Sequence, residues 1–297
     1  MRTKIKDGNL LKFKEVMMGA KKEAKKDAKS MGKNDEKILL FIPGYNCEKQ
    51  IPRVLDKIDA EIAKYIDEII FVNNRSTDDT EKEVLRYKSK AYMPKIKVLR
   101  NDDNYNLGGS HKVAFDYAMK GGFDYVIVLH GDDQGNIQDL MPVLKSGKYR
   151  DHDAMLGARF MKGSKLRGYS RFRTVGNIVY NMLFSAGVHK KIYDLGSGLN
   201  MYKVKMLKNK FYHKFPDKLT FNYCMIMAVH HYKQDVEFFP ISWREEDQAS
   251  NVKLTSQAMN VLKMLGRYIV NNKYIESELR DRPIKEYTYK EIKREKE

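Results

Sequence analysis

The sequence has few cysteines and no long apolar run. Its two cysteines, Cys47 and Cys224, have the spacing of neither a metal site nor a disulfide framework. No segment approaches the roughly 20 apolar residues that a membrane-spanning helix requires. The first residues lead into no signal-peptide core. We therefore expect reduced thiols and a cytoplasmic protein.

Signatures of several function classes are also missing. RNP, zinc-finger and basic-zipper patterns do not occur, so we expect no nucleic-acid partner even though 56 basic residues outnumber 39 acidic ones. The loop after the first predicted strand lacks the Gly-x-Gly-x-x-Gly of NAD-dependent dehydrogenases. It also lacks the glycine-rich loop with Arg and Lys of sugar nucleotidyltransferases. The formal charge of +17 indicates phosphorylated small molecules or an anionic membrane surface.

Short apolar runs alternate with helical patterns along most of the chain. The predicted strands cover 38–42, 69–72, 96–99 and 125–129, and apolar residues between 51 and 62 recur at helical spacing. This alternation predicts an α/β fold with a mostly parallel central sheet flanked by helices. We divide the chain into a basic helical extension (1–36), a main domain (37–255) and a C-terminal helical extension (256–297). The first extension is either a solvated helix packed on the domain or a helix at a membrane surface.

The segments that follow the predicted strands are polar or contain glycine. They cover 43–46, 73–78, 104–111 and 130–134. Ligands of such sheets bind beyond the carboxyl ends of the strands. We therefore expect these four loops to meet at one crevice.

Asp132 and Asp133 follow the most hydrophobic predicted strand. A carboxylate there is costly unless it is paired, and Mg²⁺ or Mn²⁺ held between protein and a diphosphate is one such partner. Neighbouring residues of an extended chain point to opposite sides, so we expect one metal ligand, Asp132. The alternative is a turn with capping aspartates.

Gly108 and Gly109 precede a predicted helix, where backbone N–H groups can approach a phosphate or a sugar. A flexible turn is the alternative. Lys112 and Arg159 are candidates to neutralise a diphosphate, although each also fits a surface charge.

Six segments, in this order, resemble glycosyltransferase family 2, and the last of them resembles its dolichyl-phosphate-mannose-synthase-like branch. They are Phe41–Asn46, Phe71–Thr80, Asn106–Ser110, His130–Gln134, Gly157–Phe160 and Asp194–Leu199. The resemblance implies a GT-A-type Rossmann-like fold, a nucleotide-diphosphate sugar donor and Mg²⁺ or Mn²⁺.

The resemblance also implies roles for single residues. Pro43 and Tyr45 would line the nucleotide pocket, Asn73 would meet the base, and Asp132 would hold the metal. Gln134 would face the donor sugar or the acceptor, Arg159 the diphosphate, and Asp194 and Ser197 the acceptor. The expected donor-binding set further includes Arg75, Gly108, Gly109, Lys112 and Asp133.

Two positions depart from the family pattern. Asn73 replaces an aspartate that pairs with the base, and His130 replaces the first aspartate of Asp-x-Asp. Asparagine both donates and accepts hydrogen bonds, so base binding is retained but base identity is open. A non-catalytic, nucleotide-binding scaffold of polysaccharide assembly is the alternative function.

We expect an inverting transfer to a polyprenyl-phosphate or saccharide acceptor in the synthesis of polysaccharides or glycoconjugates. A hydroxyl acceptor would need a general base, for which Asp194, Glu245 and Glu246 are the candidates. A lipid phosphate is already ionised and would need none.

Overall fold

A computed structural model describes residues 36–245 and 254–293, apart from 283 and 285. The predicted basic extension, up to residue 35, and the candidate base Glu246 lie outside the described residues. The proposed domain limits therefore stay predictions. No described helix combines the length and apolar character that crossing a bilayer requires.

The first half of the domain is a parallel sheet with helical connections. Its strands are β1 (Ile38–Gly44), β2 (Glu68–Asn73), β3 (Ile96–Asn101) and β4 (Tyr125–Leu129). Its helices are α1 (Ile51–Asp56), α2 (Ala60–Ala63), α3 (Thr80–Arg86), α4 (Asn106–Lys120) and α5 (Met141–Ser146). The four strands are parallel in the order β3-β2-β1-β4, which confirms the predicted alternation.

The second half extends the sheet and adds a small second one. Its strands are β5 (Ala154–Ala158), β6 (Lys165–Arg167), β7 (Leu199–Lys203), β8 (Val236–Pro240), β9 (Ser242–Arg244) and β10 (Tyr289–Ile292). Its helices are α6 (Arg171–Val188), α7 (Thr220–His231) and α8 (Leu254–Val270). Eight described strands form one sheet in the order β10-β3-β2-β1-β4-β7-β5-β8, while β6 and β9 pair separately. Strand β7 is antiparallel to both β4 and β5.

Alternate side chains of β1 enter two different hydrophobic clusters. Leu39 and Phe41 pack on one face with Phe115 of α4, and Leu40 and Ile42 pack on the other with Ile51 of α1. A strand covered on both faces must be apolar at every position. The central strands can therefore be predicted from uninterrupted apolar runs in the sequence.

Two elements differ from the expected pattern. The helical spacing over 51–62 belongs to two short helices, because the chain turns after Asp56 and Asp59 caps α2 by accepting hydrogen bonds from the N–H groups of Glu61 and Ile62. The C-terminal extension is helical only in part, since β10 pairs with β3 at the edge of the sheet. An exposed edge strand needs few apolar residues and therefore gives a weak sequence signal.

Candidate active site

A cleft of about 730 Å³ opens at the carboxyl ends of β1 and β4. Its lining includes three residues predicted for the site, namely Pro43, Tyr45 and Asp132. It also includes residues of the loops that were predicted to meet there, namely Gly44, Asn74, Asn104, Asn106, Leu107, Ser110, His130 and Gly131. The lining residues outside those loops, Cys47, Lys218, Leu219, Thr220 and Asn260, were not predicted. The predicted convergence of the strand-end loops is therefore confirmed by segments 43–47, 104–110 and 130–132 and by Asn74.

Hydrogen bonds between loops fix the first wall of the cleft. The side-chain oxygen of Asn46 accepts a hydrogen bond from the Thr77 N–H at 2.8 Å, and the Cys47 N–H donates to Thr80 Oγ1 at 2.7 Å. Asn46 has a φ of 51°, a left-handed conformation that asparagine tolerates well. The loop after β1 is thus held against the loop after β2, and the ring of Tyr45 remains 50% exposed.

Asn73 lies behind the cleft wall and does not line it. Its amide donates to Glu81 Oε2 at 2.7 Å, and its oxygen accepts from the Ser76 N–H at 2.9 Å. Glu81 in turn pairs with Arg100. The exposed Arg75 is also absent from the lining. The adjacent Asn74 lines the cleft instead.

Asp132 and Asp133 point to different environments, the cleft and the protein interior. Asp132 lines the cleft, and its Oδ1 accepts a hydrogen bond from the Gln134 N–H at 3.1 Å. Burial raises the pKa of Asp132 to about 6. Asp133, with a φ of 61°, is turned into the protein, where its side chain is 1% exposed.

Three cations surround the carboxylate of Asp133. Arg53 Nε lies 2.7 Å away, Arg244 Nη2 lies 2.9 Å away, and Lys57 completes the cluster. Asp133 therefore lies outside the cleft, contrary to its predicted role in donor binding. Its ion pairs hold the turn that presents Asp132, because they join α1 and β9 to that turn.

His130 is a partly buried histidine in the cleft wall. Burial lowers its pKa to about 4, so the imidazole is neutral at physiological pH. Its backbone N–H donates to the Gly198 carbonyl at 2.9 Å, which links the turn to the segment before β7. Its Nε2 has no hydrogen-bond partner in the part of the chain that the structure describes. A buried polar atom without a partner is costly.

Gly108 and Gly109 serve helix packing. They lie inside the first turn of α4, and a Cβ on Gly108 would come within 2.6 Å of the Pro216 carbonyl. The Gly108 N–H already donates to the Asp217 carbonyl at 2.6 Å. Both N–H groups are bonded to protein acceptors and lie outside the cleft lining, so the structure gives no support to the prediction that they approach a phosphate.

Lys112 is fully buried, which excludes the predicted contact with a diphosphate in this arrangement. Its Nζ donates to Asp217 Oδ1 at 2.7 Å and to the Tyr287 hydroxyl at 3.0 Å. Burial is the main effect on this ammonium group and lowers its pKa. The lysine ties α4 to the segment that precedes β10.

Arg159 and Asp194, predicted for different roles, form one bidentate ion pair. Arg159 Nε and Nη2 lie 2.7 and 2.8 Å from the two carboxylate oxygens. Asp194 also accepts hydrogen bonds from the N–H groups of Arg159 and Gly196. Ser197 is buried nearby and donates to the Leu199 carbonyl. These hydrogen bonds fix the position of Arg159, and neither Arg159 nor Asp194 lines the cleft.

The other candidate base and Gln134 lie near the small sheet. Glu245 follows β9 and pairs with Arg173 of α6. The carbonyl of Gln134 accepts from the Arg244 N–H at 3.0 Å, and Gln134 does not line the cleft. Within the described ranges, no group of three or more His, Cys, Asp or Glu side chains is arranged to hold a metal. Asp132 is the one predicted metal ligand, and it does line the cleft.

Comparisons with known proteins identify the family of the chain. The family model described as Glycosyl transferase family 2 matches residues 40–211. Dolichyl-phosphate beta-glucosyltransferase ALG5A of Trichomonas vaginalis is 24% identical over 230 residues, which are 73% of this chain and 68% of that protein. UDP-N-acetylglucosamine–dolichyl-phosphate N-acetylglucosaminyltransferase of Methanococcus voltae is 23% identical over 185 residues, 59% of this chain and 72% of that protein.

Solved structures share the fold. TarS 1–349 of S. aureus in complex with UDP has a TM-score of 0.54 at 18% identity over 79% of this chain, and the chain spans 66% of that structure. Glucosyl-3-phosphoglycerate synthase of Mycobacterium tuberculosis in complex with UDP has a TM-score of 0.55 at 15% identity, covering 80% of this chain and 82% of that one. These likenesses confirm the predicted GT-A-type fold.

Proposed function

The chain belongs to glycosyl transferase family 2, and from this membership we propose that it transfers a sugar from a UDP-sugar to a lipid-linked phosphate. The observation that carries the proposal is the position of Asp132, in the cleft wall at the end of β4, with Asp133 turned away beside it. The product would be a lipid-linked sugar for glycoconjugate or polysaccharide synthesis.

The donor assignment rests on the cleft and on the relatives. A volume of about 730 Å³ falls in the range of small-molecule sites. Pro43 and the half-exposed ring of Tyr45 offer apolar surface to a base, and Asn104, whose Oδ1 accepts a hydrogen bond from the Asn74 amide at 2.9 Å, lines the same cleft. TarS has been solved with UDP and with UDP-GlcNAc, and the Methanococcus voltae relative is named for UDP-N-acetylglucosamine. We therefore propose uridine as the base.

A divalent cation fits the residues in the cleft. Asp132 is a carboxylate with a raised pKa that lines the cleft, and no described Lys or Arg forms an ion pair with it. Magnesium and manganese bind few protein carboxylates when phosphate oxygens supply other ligands. Asp132 would hold the ion, which when bound would supply positive charge to the departing diphosphate.

The acceptor assignment rests on the ion pairs that the candidate bases form. Asp194 is engaged by Arg159, and Glu245 by Arg173. Neither carboxylate lines the cleft, so neither is placed to accept a proton from a hydroxyl bound there, whereas an ionised phosphate needs no base. In the proposed inverting step, a phosphate oxygen of the acceptor bonds to the anomeric carbon as the bond to UDP breaks, and UDP leaves with the electron pair. Both curated relatives are named for dolichyl phosphate, which supports this choice.

A thermal-shift screen tests the donor. UDP with Mn²⁺ at about 100 times its dissociation constant should add about 2.7 kcal/mol of stability, or about 5–10 °C in melting temperature. GDP, CMP and dTDP should give smaller shifts. The variant Asp132→Ala should lose the shift, and the exposed control Asp151→Ala should keep it. Equal shifts with every nucleotide, or a full shift in Asp132→Ala, would contradict the assignment.

A further inference from the structure

Helix α6 exposes most of its aliphatic side chains and turns Phe184 and several polar side chains inward. Six apolar residues are 41–84% exposed: Phe172, Val175, Ile178, Val179, Met182 and Leu183. Most of them follow the i, i+3, i+4, i+7 spacing of a single helix face. No charged residue lies between Arg173 and the end of the helix. We refer to this surface as the apolar row.

The inward face of α6 is held by hydrogen bonds. The amide of Asn181 donates to the Tyr193 carbonyl at 2.7 Å, and the amide of Asn177 donates to the Tyr169 hydroxyl at 2.9 Å. The Ile192 N–H donates to Ser185 Oγ at 2.9 Å. Turning the apolar row inward would break these bonds and leave buried polar groups unsatisfied. The exposure of the row is therefore a fixed property of the fold.

The row lies within the most one-sided charge segment of the chain. Residues 154–193 contain eight basic residues and no acidic one, whereas 39 acidic residues in 297 would place about five in a segment of that length. Six of the basic residues are exposed: Lys162, Lys165, Arg167, Arg171, Lys190 and Lys191. They lie before the row and directly after it in the sequence. A basic flank beside an apolar helix face is typical of helices that lie at an anionic membrane surface.

We propose that α6 lies in the interface of an anionic bilayer, with the apolar row among the acyl chains and the basic flanks against the headgroups. Like-charge repulsion disfavours two other occupants of this face, a second copy of the chain and residues 1–35. A second copy would bring its own basic flanks against these. Residues 1–35 hold eleven basic and five acidic residues, so they too would be repelled. An anionic lipid surface complements the flanks, and one fixed helix face suits a planar partner.

This docking also bears on the proposed function. Helix α6 packs on α8, where a Cβ on Gly187 would come within 2.7 Å of the Leu265 side chain. Helix α8 contributes Asn260 to the cleft. If the proposed lipid acceptor is correct, docking through α6 brings the cleft close to the membrane in which that acceptor lies. Membrane binding and donor binding can be measured separately, so either proposal can fail alone.

Vesicle sedimentation with the double variant Val179→Glu and Met182→Glu tests the proposal. Both residues are exposed, and glutamate is a good helix former, so the variant should fold. The full chain should bind vesicles of phosphatidylcholine and phosphatidylserine in equal amounts. The affinity of the variant for these vesicles should be lower by a factor of about ten or more, because the variant loses apolar burial and adds two anionic groups. The control Ser89→Glu with Tyr92→Glu adds the same charge on exposed residues elsewhere and should bind like the wild type.

Three results would overturn the proposal. The first is a wild type that does not sediment with these vesicles. The second is a variant that sediments as well as the wild type, which would assign binding to another basic surface. A wild-type dimer that the variant dissolves, without vesicle binding, would identify a second copy as the occupant. The thermal shift with UDP and Mn²⁺, measured without vesicles, should be equal in all three proteins. Its absence from all three would count against the donor assignment and leave the docking result intact.

Discussion

Replacing Asp132 by asparagine should make the protein more stable and at the same time abolish its metal-dependent donor binding. Burial raises the pKa of this carboxyl from 3.8 to about 6. At pH 7 the folded protein therefore holds an ionised carboxylate in an unfavourable setting. Two pKa units correspond to about 3 kcal/mol, and because Asp132 keeps part of its surface open to the cleft we expect a gain of about 1–3 kcal/mol.

The sign follows from proton binding. The folded state binds the proton more tightly than the unfolded state, so Asp132 costs no stability below about pH 4 and its full cost is reached above about pH 6. Asparagine keeps the oxygen that accepts the Gln134 N–H and removes the charge. The gain should therefore be present at pH 7 and absent at pH 4.

Urea unfolding at both pH values measures the change in stability. Calorimetric titration of UDP and Mn²⁺ at pH 7 measures metal-dependent donor binding. Asp151→Asn serves as the control, because it removes one exposed carboxylate and should change neither quantity. Equal stability of the Asp132 variant and the wild type at pH 7 would show that the carboxylate is well solvated. A stability gain with unchanged Mn²⁺-dependent UDP binding would refute the metal assignment.

Three further predictions concern the surroundings of the cleft. Lys112→Met should destabilise the fold by about 3–5 kcal/mol, because Asp217 would stay buried without its cation, while UDP affinity measured well below the melting temperature stays unchanged. Gly108→Ala should cost about 1–3 kcal/mol in urea unfolding, because its methyl group would collide with a backbone carbonyl. His111 and His130 have pKa values lowered by burial to about 3 and 4, so each should contribute stability above pH 6.5 that is lost as the pH falls towards 4, by about 3 kcal/mol each. Wild-type unfolding free energy should therefore fall over that range, and His111→Asn should reduce the slope; an unchanged slope would contradict the assignment.

The central strands were predictable because burial on both faces requires uninterrupted apolar residues. The sequence of β4 is apolar throughout, and all five of its residues are buried. Strand β7 was not predicted, because its mixture of Asn, Met, Tyr and Lys gives no clear period, and its place in the sheet is fixed by antiparallel neighbours. The order of the cleft loops was predictable for the same reason as the strands, since parallel strands end at one edge.

The roles of individual charged residues depended on distant partners. The sequence around Lys112 suggested a diphosphate ligand. In the fold Lys112 pairs with Asp217, which lies 105 residues later in the chain. Arg159 and Asp194 are 35 residues apart, so their pairing carries no local signal. The prediction that only one of the two adjacent aspartates faces the cleft assumed an extended chain. In the structure both lie in a turn, where Asp133 has a φ of 61° and Asp132 Oδ1 accepts a hydrogen bond from the Gln134 N–H. The cations that bind Asp133 come from α1 and β9, which no local pattern joins.

The most direct test of the account is sugar transfer itself. The full chain would be incubated with radiolabelled UDP-glucose or UDP-N-acetylglucosamine, Mn²⁺ and a polyprenyl phosphate in detergent, and label in the organic phase would be counted. The account predicts label that depends on the polyprenyl phosphate and is lost in Asp132→Ala. UDP binding without any transfer would indicate the scaffold function, and transfer that survives in Asp132→Ala would contradict the role given to the cleft.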